Sequence, residues 1–417
     1  MPTNSKSVLA LLLALAGCSP GEVVKPITVD VFMCRTGPGC DSSRLETGAS
    51  EPLQVAVNDV NAAGGINGQE LQLWIHDAAP GKALTDALSL KDAGVRVLLS
   101  GPSDLTVPLV RNLTVPSKVF VFATETTSPD LETSLAQQAA GYLARTSFSL
   151  SGAAMRLARL AHDAGVSRIG VVYSEDSVGP DYSRAFIQAF RDLGGEITGI
   201  RPAAHSIPAG EIRSYRSELS QAMAGATLVN GKAAVLAIAS PAAFRQMLQD
   251  AKEGGLAIQW FGAHTVRARG VLDGLEAQAE GMVGVSPARG NPANYGAYET
   301  SFKKSFPSLD PGANWYPHAY DALVVYAFTL ARSGGGAPNA NKVKSDLRKV
   351  ANAGIGKKVV GPADLVEALN IILAGGDVDY QGASGAVDFG SQGDVIGRWS
   401  LFRVESGKFI LDTDPNY

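Results

Sequence analysis

"NAAGGINGQ", residues 61–69, decides how this chain is read. It follows "EPLQVAVNDV", whose apolar residues recur at helical spacing, and precedes "ELQLWIHD", where apolar and polar residues alternate as in a strand. Gly64 or Gly65 can take the left-handed conformation that closes a helix, and "INGQ" then turns the chain into the next strand. So compact a step from helix to strand is the connection a doubly wound sheet needs.

Outward from this stretch the rhythm continues. "ITVDVFM" stands before the helix, and "VRVLLSG", "LTVPLVRNL" and "KVFVFA" follow the strand. Strands separated by crossover helices predict a parallel sheet with helices on both faces. After "YLARTSFSLSG" the alternation restarts through "SRIGVVYS", "KAAVLAIAS" and "IQWFGA", with helical patterns between them. The predicted fold class is therefore α/β, with two Rossmann-like lobes whose parallel-rich sheets are flanked by helices. Lobe one is expected from residues 27–146 and 287–397, and lobe two from 147–286 and 398–417.

Composition agrees with such a body. The chain has 417 residues, of which 45% are hydrophobic and 18% charged, which suits two globular lobes and excludes a disordered or fibrous chain. A formal net charge of -4 offers no basic surface for a phosphate backbone, so nucleic acid is not an expected partner.

The first residues read as an address. One early cation, Lys6, is followed by the apolar run Val8–Ala16, too short to span a bilayer and built like the core of a secretory leader. Residues 1–18 are read as a lipoprotein signal peptide and residues 19–26 as a tether. The run ends in Leu15-Ala16-Gly17-Cys18, which resembles the bacterial lipobox, and this implies that Cys18 is lipidated. Two or more acyl chains would anchor the protein stably to the cell envelope, at either the inner or the outer membrane. The remaining cysteines, Cys34 and Cys40, flank a Gly/Pro turn in an exported chain, where a disulfide is the expected state. A metal site on these two is disfavoured because no histidine lies nearby in sequence. No metal or other cofactor is expected.

No motif for covalent chemistry is present. The sequence has no G-x-S-x-G, no H-E-x-x-H, no Walker A loop and no complete G-x-G-x-x-G, and its five histidines are far apart. These patterns predict no catalytic site, and an enzyme is kept as the third hypothesis.

Four fragments in order carry a specific resemblance: "LQVAVNDVNAAGGINGQELQLWIHDAA", "FATETTSPDLE", "AYDALVVYAFTLARSGG" and "GGDVDYQGASGAVDFGSQGD". Together they resemble the leucine/isoleucine/valine-binding family of type I periplasmic binding proteins. The resemblance implies two lobes joined by three hinge crossovers, closing on a small ligand. It also implies a monomeric receptor in the periplasm that delivers its ligand to the permease and ATPase subunits of an ABC importer. The ligand is expected to be an amino acid or a related small polar molecule, with an apolar, anionic or amide ligand as the alternative. A sensor subunit of a signalling system is the competing role from another class.

The family's pocket residues carry over by position. The ligand-gripping Ser falls on Ser103, the Thr on Thr127, and the residue supplying a backbone carbonyl on Glu125. In the second lobe the resemblance weakens. A position that is often aromatic holds Val178, one that is often Tyr holds Ser240, and the acid that accepts a ligand ammonium is replaced by His264. Three explanations stay open: Glu125 meets the ammonium, the ligand has none, or the register is shifted by one or two residues. Arg35, Arg267 and Arg269 could add positive charge near the cleft. If His264 is charged to meet an anionic ligand, affinity should fall as pH rises through about 6 to 7.

Overall fold

The turn at residues 61–69 closes as a double stop. The helix Glu51–Ala62 ends with Gly64 at φ 105° and Gly65 at φ 65°, and the Gly65 amide donates back to the Val60 carbonyl at 3.0 Å. Ile66 and Gln69 then exchange two backbone hydrogen bonds around Asn67 and Gly68, both at positive φ, a two-residue hairpin turn of the primed kind. The Asn61 side chain holds what comes next, accepting from the Leu71 amide at 2.7 Å and donating to its carbonyl at 3.0 Å. One nine-residue stretch thus ends a helix and fixes the first residue of a strand. A Cβ on Gly65 would stand 2.3 Å from the Gln69 carbonyl oxygen. Gly65→Ala is accordingly expected to lose about 1 to 3 kcal/mol of unfolding free energy in urea, through the left-handed backbone and the clash together.

A computed structural model of the chain describes residues 25–34, 50–78, 82–132, 134–176, 178–198, 205–208, 212–268 and 270–412. The leader of residues 1–18 with Cys18, most of the tether, and Arg35, Cys40 and Arg269 lie outside the described residues. Cys34 lies at the end of the first strand and is buried.

Two sheets organise the chain. β1 (Ile27–Met33), β2 (Leu71–Asp77), β3 (Val97–Ser100), β4 (Phe120–Ala123) and β5 (Leu143–Arg145) form an all-parallel sheet in the order β2-β1-β3-β4-β5. β6 (Arg168–Glu175), β7 (Glu196–Ile197), β8 (His205–Pro208), β9 (Leu228–Val229), β10 (Lys232–Ile238), β11 (Ile258–Gly262) and β12 (Val283–Pro287) belong to the second sheet. β13 (Lys358–Val360) and β14 (Val378–Tyr380) pair with each other, while β15 (Trp399–Glu405) and β16 (Lys408–Leu411) extend the second sheet antiparallel from β12. The central strands are buried throughout, "VLLS" in β3 and "FVFA" in β4 among them, as a sheet covered on both faces requires. The chain passes from the first sheet to the second after β5. After β12 it returns to helices that pack against the helix Glu51–Ala62, and with β15 it re-enters the second sheet.

The two C-terminal fragments meet in one polar knot. Asp321, fully buried in the helix Tyr316–Arg332, accepts from the Tyr380 hydroxyl at 2.8 Å, the Ala383 amide at 2.9 Å, the Ser384 amide at 2.7 Å and the Ser384 hydroxyl at 2.6 Å. Gly382 is glycine because a Cβ there would stand 2.3 Å from the Asp321 carboxylate. "AYDAL" and "YQGAS" are therefore two halves of a single contact.

Candidate functional site: buried residues at the strand ends

All six candidate pocket residues stand just past the carboxyl ends of parallel strands. Ser103 follows β3, Glu125 and Thr127 follow β4, Val178 follows β6, Ser240 follows β10, and His264 follows β11. Open α/β sheets present their ligand crevice at these ends. Each of the six is buried, with at most 3% of its surface exposed.

On the first-sheet side the polar residues form one unit. The Ser103 hydroxyl oxygen accepts from the backbone amides of Thr127 at 3.2 Å and Ser128 at 3.3 Å. The Thr127 carbonyl accepts from the Leu150 amide, and the Thr126 carbonyl from the Ser147 hydroxyl. These bonds tie the β4 loop to the passage between the sheets. Glu125 is also close enough to Tyr316 for its charge to help hold that phenol above its ordinary range, though burial is the larger cause.

On the second-sheet side the other three do not form one cluster. Ser240 caps the helix Pro241–Gly254, its hydroxyl accepting from the Ala243 amide at 3.2 Å. Val178 precedes the helix Gly179–Asp192, and the aromatic ring arrives one turn later as Tyr182, whose amide donates to the Val178 carbonyl. Tyr182 stacks on His264 with ring centroids 5.9 Å apart. His264 also meets Trp315 edge-on at 5.4 Å and Trp399 at 5.2 Å. Trp315 begins the helix Tyr316–Arg332 in the left-handed region, φ 67°, a conformation costly for an aromatic residue and held here by its surroundings.

A hydrogen-bonded bridge joins the two sides. Asn314 donates to the His264 carbonyl at 2.8 Å and accepts from Arg267 at 3.1 Å, and Arg267 also donates to the Gly312 carbonyl at 2.8 Å. Burial, with Arg289 nearby, lowers the Arg267 guanidinium to about 10. Arg267 therefore ties the loop after β11 to the segment before the helix Tyr316–Arg332, and its positive charge reaches His264. Burial first and Arg267 second lower the His264 imidazole to about 3, so it is neutral near pH 7. A charged His264, one of the sequence expectations, would have to overcome both that burial and the Arg267 charge. Asn314→Ala removes this bridge and should open the ligand-free molecule, raising its radius of gyration in small-angle scattering above that of the wild type; equal radii would show that the bridge does not hold the cleft shut.

A separate groove of about 770 Å3 lies beyond Arg267, bordered by Arg289, Lys303 and Lys408. It is open and lies away from the six strand-end residues. Among the described residues no group of histidine, cysteine and acidic side chains is arranged to hold a metal ion, and no helix is long and apolar enough to cross a membrane.

A family model for periplasmic binding proteins matches residues 26–368. The chain belongs to the periplasmic binding protein family. Among curated relatives, the leucine-specific-binding protein of Salmonella typhimurium is 24% identical over 372 residues, 87% of this chain and 92% of that protein. The fold is shared with a branched-chain amino acid transporter substrate binding protein of Streptococcus pneumoniae, solved with isoleucine (TM-score 0.69, 16% identity, 93% of this chain and 100% of that one). It is likewise shared with a solute binding protein of an ABC transporter from R. palustris, solved with benzoate (TM-score 0.70, 14% identity, 93% and 95% covered).

Within this periplasmic binding protein fold, sequence reading missed Phe148, Tyr182, Asn314, Trp315, His318 and Trp399. Tyr182 had a signal, since it lies one helical turn after Val178, which holds a position that is often aromatic in the family. Phe148 and Trp399 had none, because they stand where the chain passes between sheets and belong to no strand-end pattern.

Proposed function

We propose that this chain is the extracytoplasmic solute receptor of an ABC importer, holding a small carboxylate in the cleft between two lobes that close over it. The observation that supports this is the burial of Ser103, Glu125, Thr127, Val178, Ser240 and His264 just past the carboxyl ends of five parallel strands in two sheets, with Arg267 and Asn314 hydrogen-bonded beside His264. On this reading lobe one is 27–146 with 287–397, lobe two is 147–286 with 398–417, and the three chain passages are the hinges. Ser103 and Thr127, with nearby backbone amides, hold the carboxylate. An amino acid is supported by the leucine- and isoleucine-binding relatives, and a ring carboxylate by the benzoate-bound one. The receptor acts as a monomer in the periplasm, anchored through lipidated Cys18, with Cys34 and Cys40 joined in a disulfide.

A thermal-shift panel of L-leucine, L-phenylalanine, benzoate, 4-hydroxybenzoate and glycine betaine tests it, because a ligand bound only by the folded state raises the melting temperature. At least one carboxylate should do so. Thr127→Ala should then weaken that compound by about 1.5 to 3 kcal/mol, roughly tenfold or more, through loss of a charge-assisted hydrogen bond. An unshifted melting temperature across the panel, or an unchanged affinity in Thr127→Ala, would count against the assignment.

A further inference from the structure

The second-sheet half of the cleft has a chemistry of its own. Six aromatic or imidazole rings, those of Phe148, Tyr182, His264, Trp315, His318 and Trp399, lie in mutual contact where the sheets and the passages between them meet. Phe148 meets Trp315, His318 and Trp399 with centroids 5.0 to 5.3 Å apart, and Trp315 stands 5.0 Å from His318 and 5.8 Å from Trp399. All six are buried, Trp399 the least so at 8% exposed.

Within this cluster the Tyr182 hydroxyl, the Trp315 indole nitrogen and both ring nitrogens of His264 and of His318 have no hydrogen-bond partner among the described residues. Buried polar atoms are normally paired, since an unpaired one carries the full cost of leaving water. Six such atoms in one cluster point to a partner that the protein itself does not supply. His264 is held neutral by burial and by Arg267, and His318 by burial. An ammonium placed beside His264 would meet the field of Arg267. The rings, in contrast, suit the faces and edges of another aromatic system.

We infer that the ligand of this cleft is a phenolic carboxylate: its carboxylate lies at Ser103 and Thr127, its uncharged ring among the six aromatic side chains, and its hydroxyl against the unpaired atoms of Tyr182, His264 and His318. This rests on the reading of the cleft as the receptor site. A hydroxyl serves the arrangement because it both donates and accepts, and so can pair with a neutral imidazole nitrogen and with the Tyr182 hydroxyl at once.

Calorimetric titration of the purified protein with 4-hydroxybenzoate, benzoate, L-leucine and glycine betaine tests the inference. 4-Hydroxybenzoate should bind at least tenfold tighter than benzoate, which lacks the hydroxyl, and at least a hundredfold tighter than L-leucine. Tyr182→Phe should bring 4-hydroxybenzoate down to the affinity of benzoate while leaving benzoate within twofold, a readout that a merely misfolded variant would not give. Binding should also perturb the tryptophan emission of Trp315 and Trp399, and Trp315→Phe should reduce that change. Tighter binding of L-leucine or glycine betaine would overturn the phenolic assignment and leave the receptor reading standing. Equal binding of the two benzoates, or indifference of 4-hydroxybenzoate to Tyr182→Phe, would overturn it as well. A correctly folded protein that binds none of the four would overturn both readings.

Discussion

Replacing Asp321 by alanine is expected to destabilise the protein by about 3 to 5 kcal/mol, among the largest effects any single substitution here should have. Its carboxylate accepts four hydrogen bonds from Tyr380, Ala383 and Ser384, and Tyr380 and Ala383 are fully buried. Truncation leaves those donors facing a void that alanine cannot fill, and it frees the loop that follows β14 from the helix beneath the first sheet. Asp321→Asn keeps the volume but turns an amide toward amides, so it should recover only part of the loss. Urea unfolding followed by circular dichroism measures both. A midpoint for Asp321→Ala that matches the wild type would show that the knot is not a structural centre.

Acidification should produce the second large effect. Burial lowers both His264 and His318 to about 3, whereas an imidazole in the unfolded chain titrates near 6.5. The folded value is the lower one, so the contribution of these neutral rings is complete above about pH 6.5 and is lost as pH falls from there toward 3. At pH 5 each ring takes away about 2 kcal/mol, or about 4 for the pair, by this linkage. Asp321 works the other way, because burial raises it to about 6 and the folded state takes up its proton first, which offsets about 1 kcal/mol at pH 5. Unfolding free energies at pH 7.5 and pH 5 should therefore differ by a few kcal/mol in the wild type, and by about 4 kcal/mol less in the double variant His264→Gln/His318→Gln. An equal difference in the two proteins would mean that the rings are solvated.

The fold was legible because its determinants are local. Gly65, Asn67 and Gly68 need positive φ, Asn61 reaches only as far as Leu71, and the apolar runs that became β3 and β4 have the length and burial of strands covered on both faces. Residues placed by those strands could be numbered from the sequence, which is why Ser103, Thr127 and His264 all fall at strand ends. The far wall of the cleft was not legible. Trp315 lies 51 residues after His264 and Trp399 a further 84, and they reach it only through long-range packing that no period in the sequence encodes. Tyr182 shows the intermediate case: the position that is often aromatic in the family holds Val178, and an aromatic ring stands one helical turn later. Arg267 shows another: its charge suggested a place near the ligand, while its hydrogen bonds run to Gly312, Asn314 and Ser286.

Small-angle scattering of the purified protein, with and without a saturating amount of the tightest-binding compound of the thermal-shift panel, is the measurement that bears most directly on the central claim. A receptor whose ligand site is enclosed between two sheets must open for entry and close on its ligand. The radius of gyration should therefore be smaller in the saturated sample, and Asn314→Ala should need more ligand to reach the same value. A radius that does not change at saturation, for a compound whose binding calorimetry has established, would contradict a cleft that closes on its ligand.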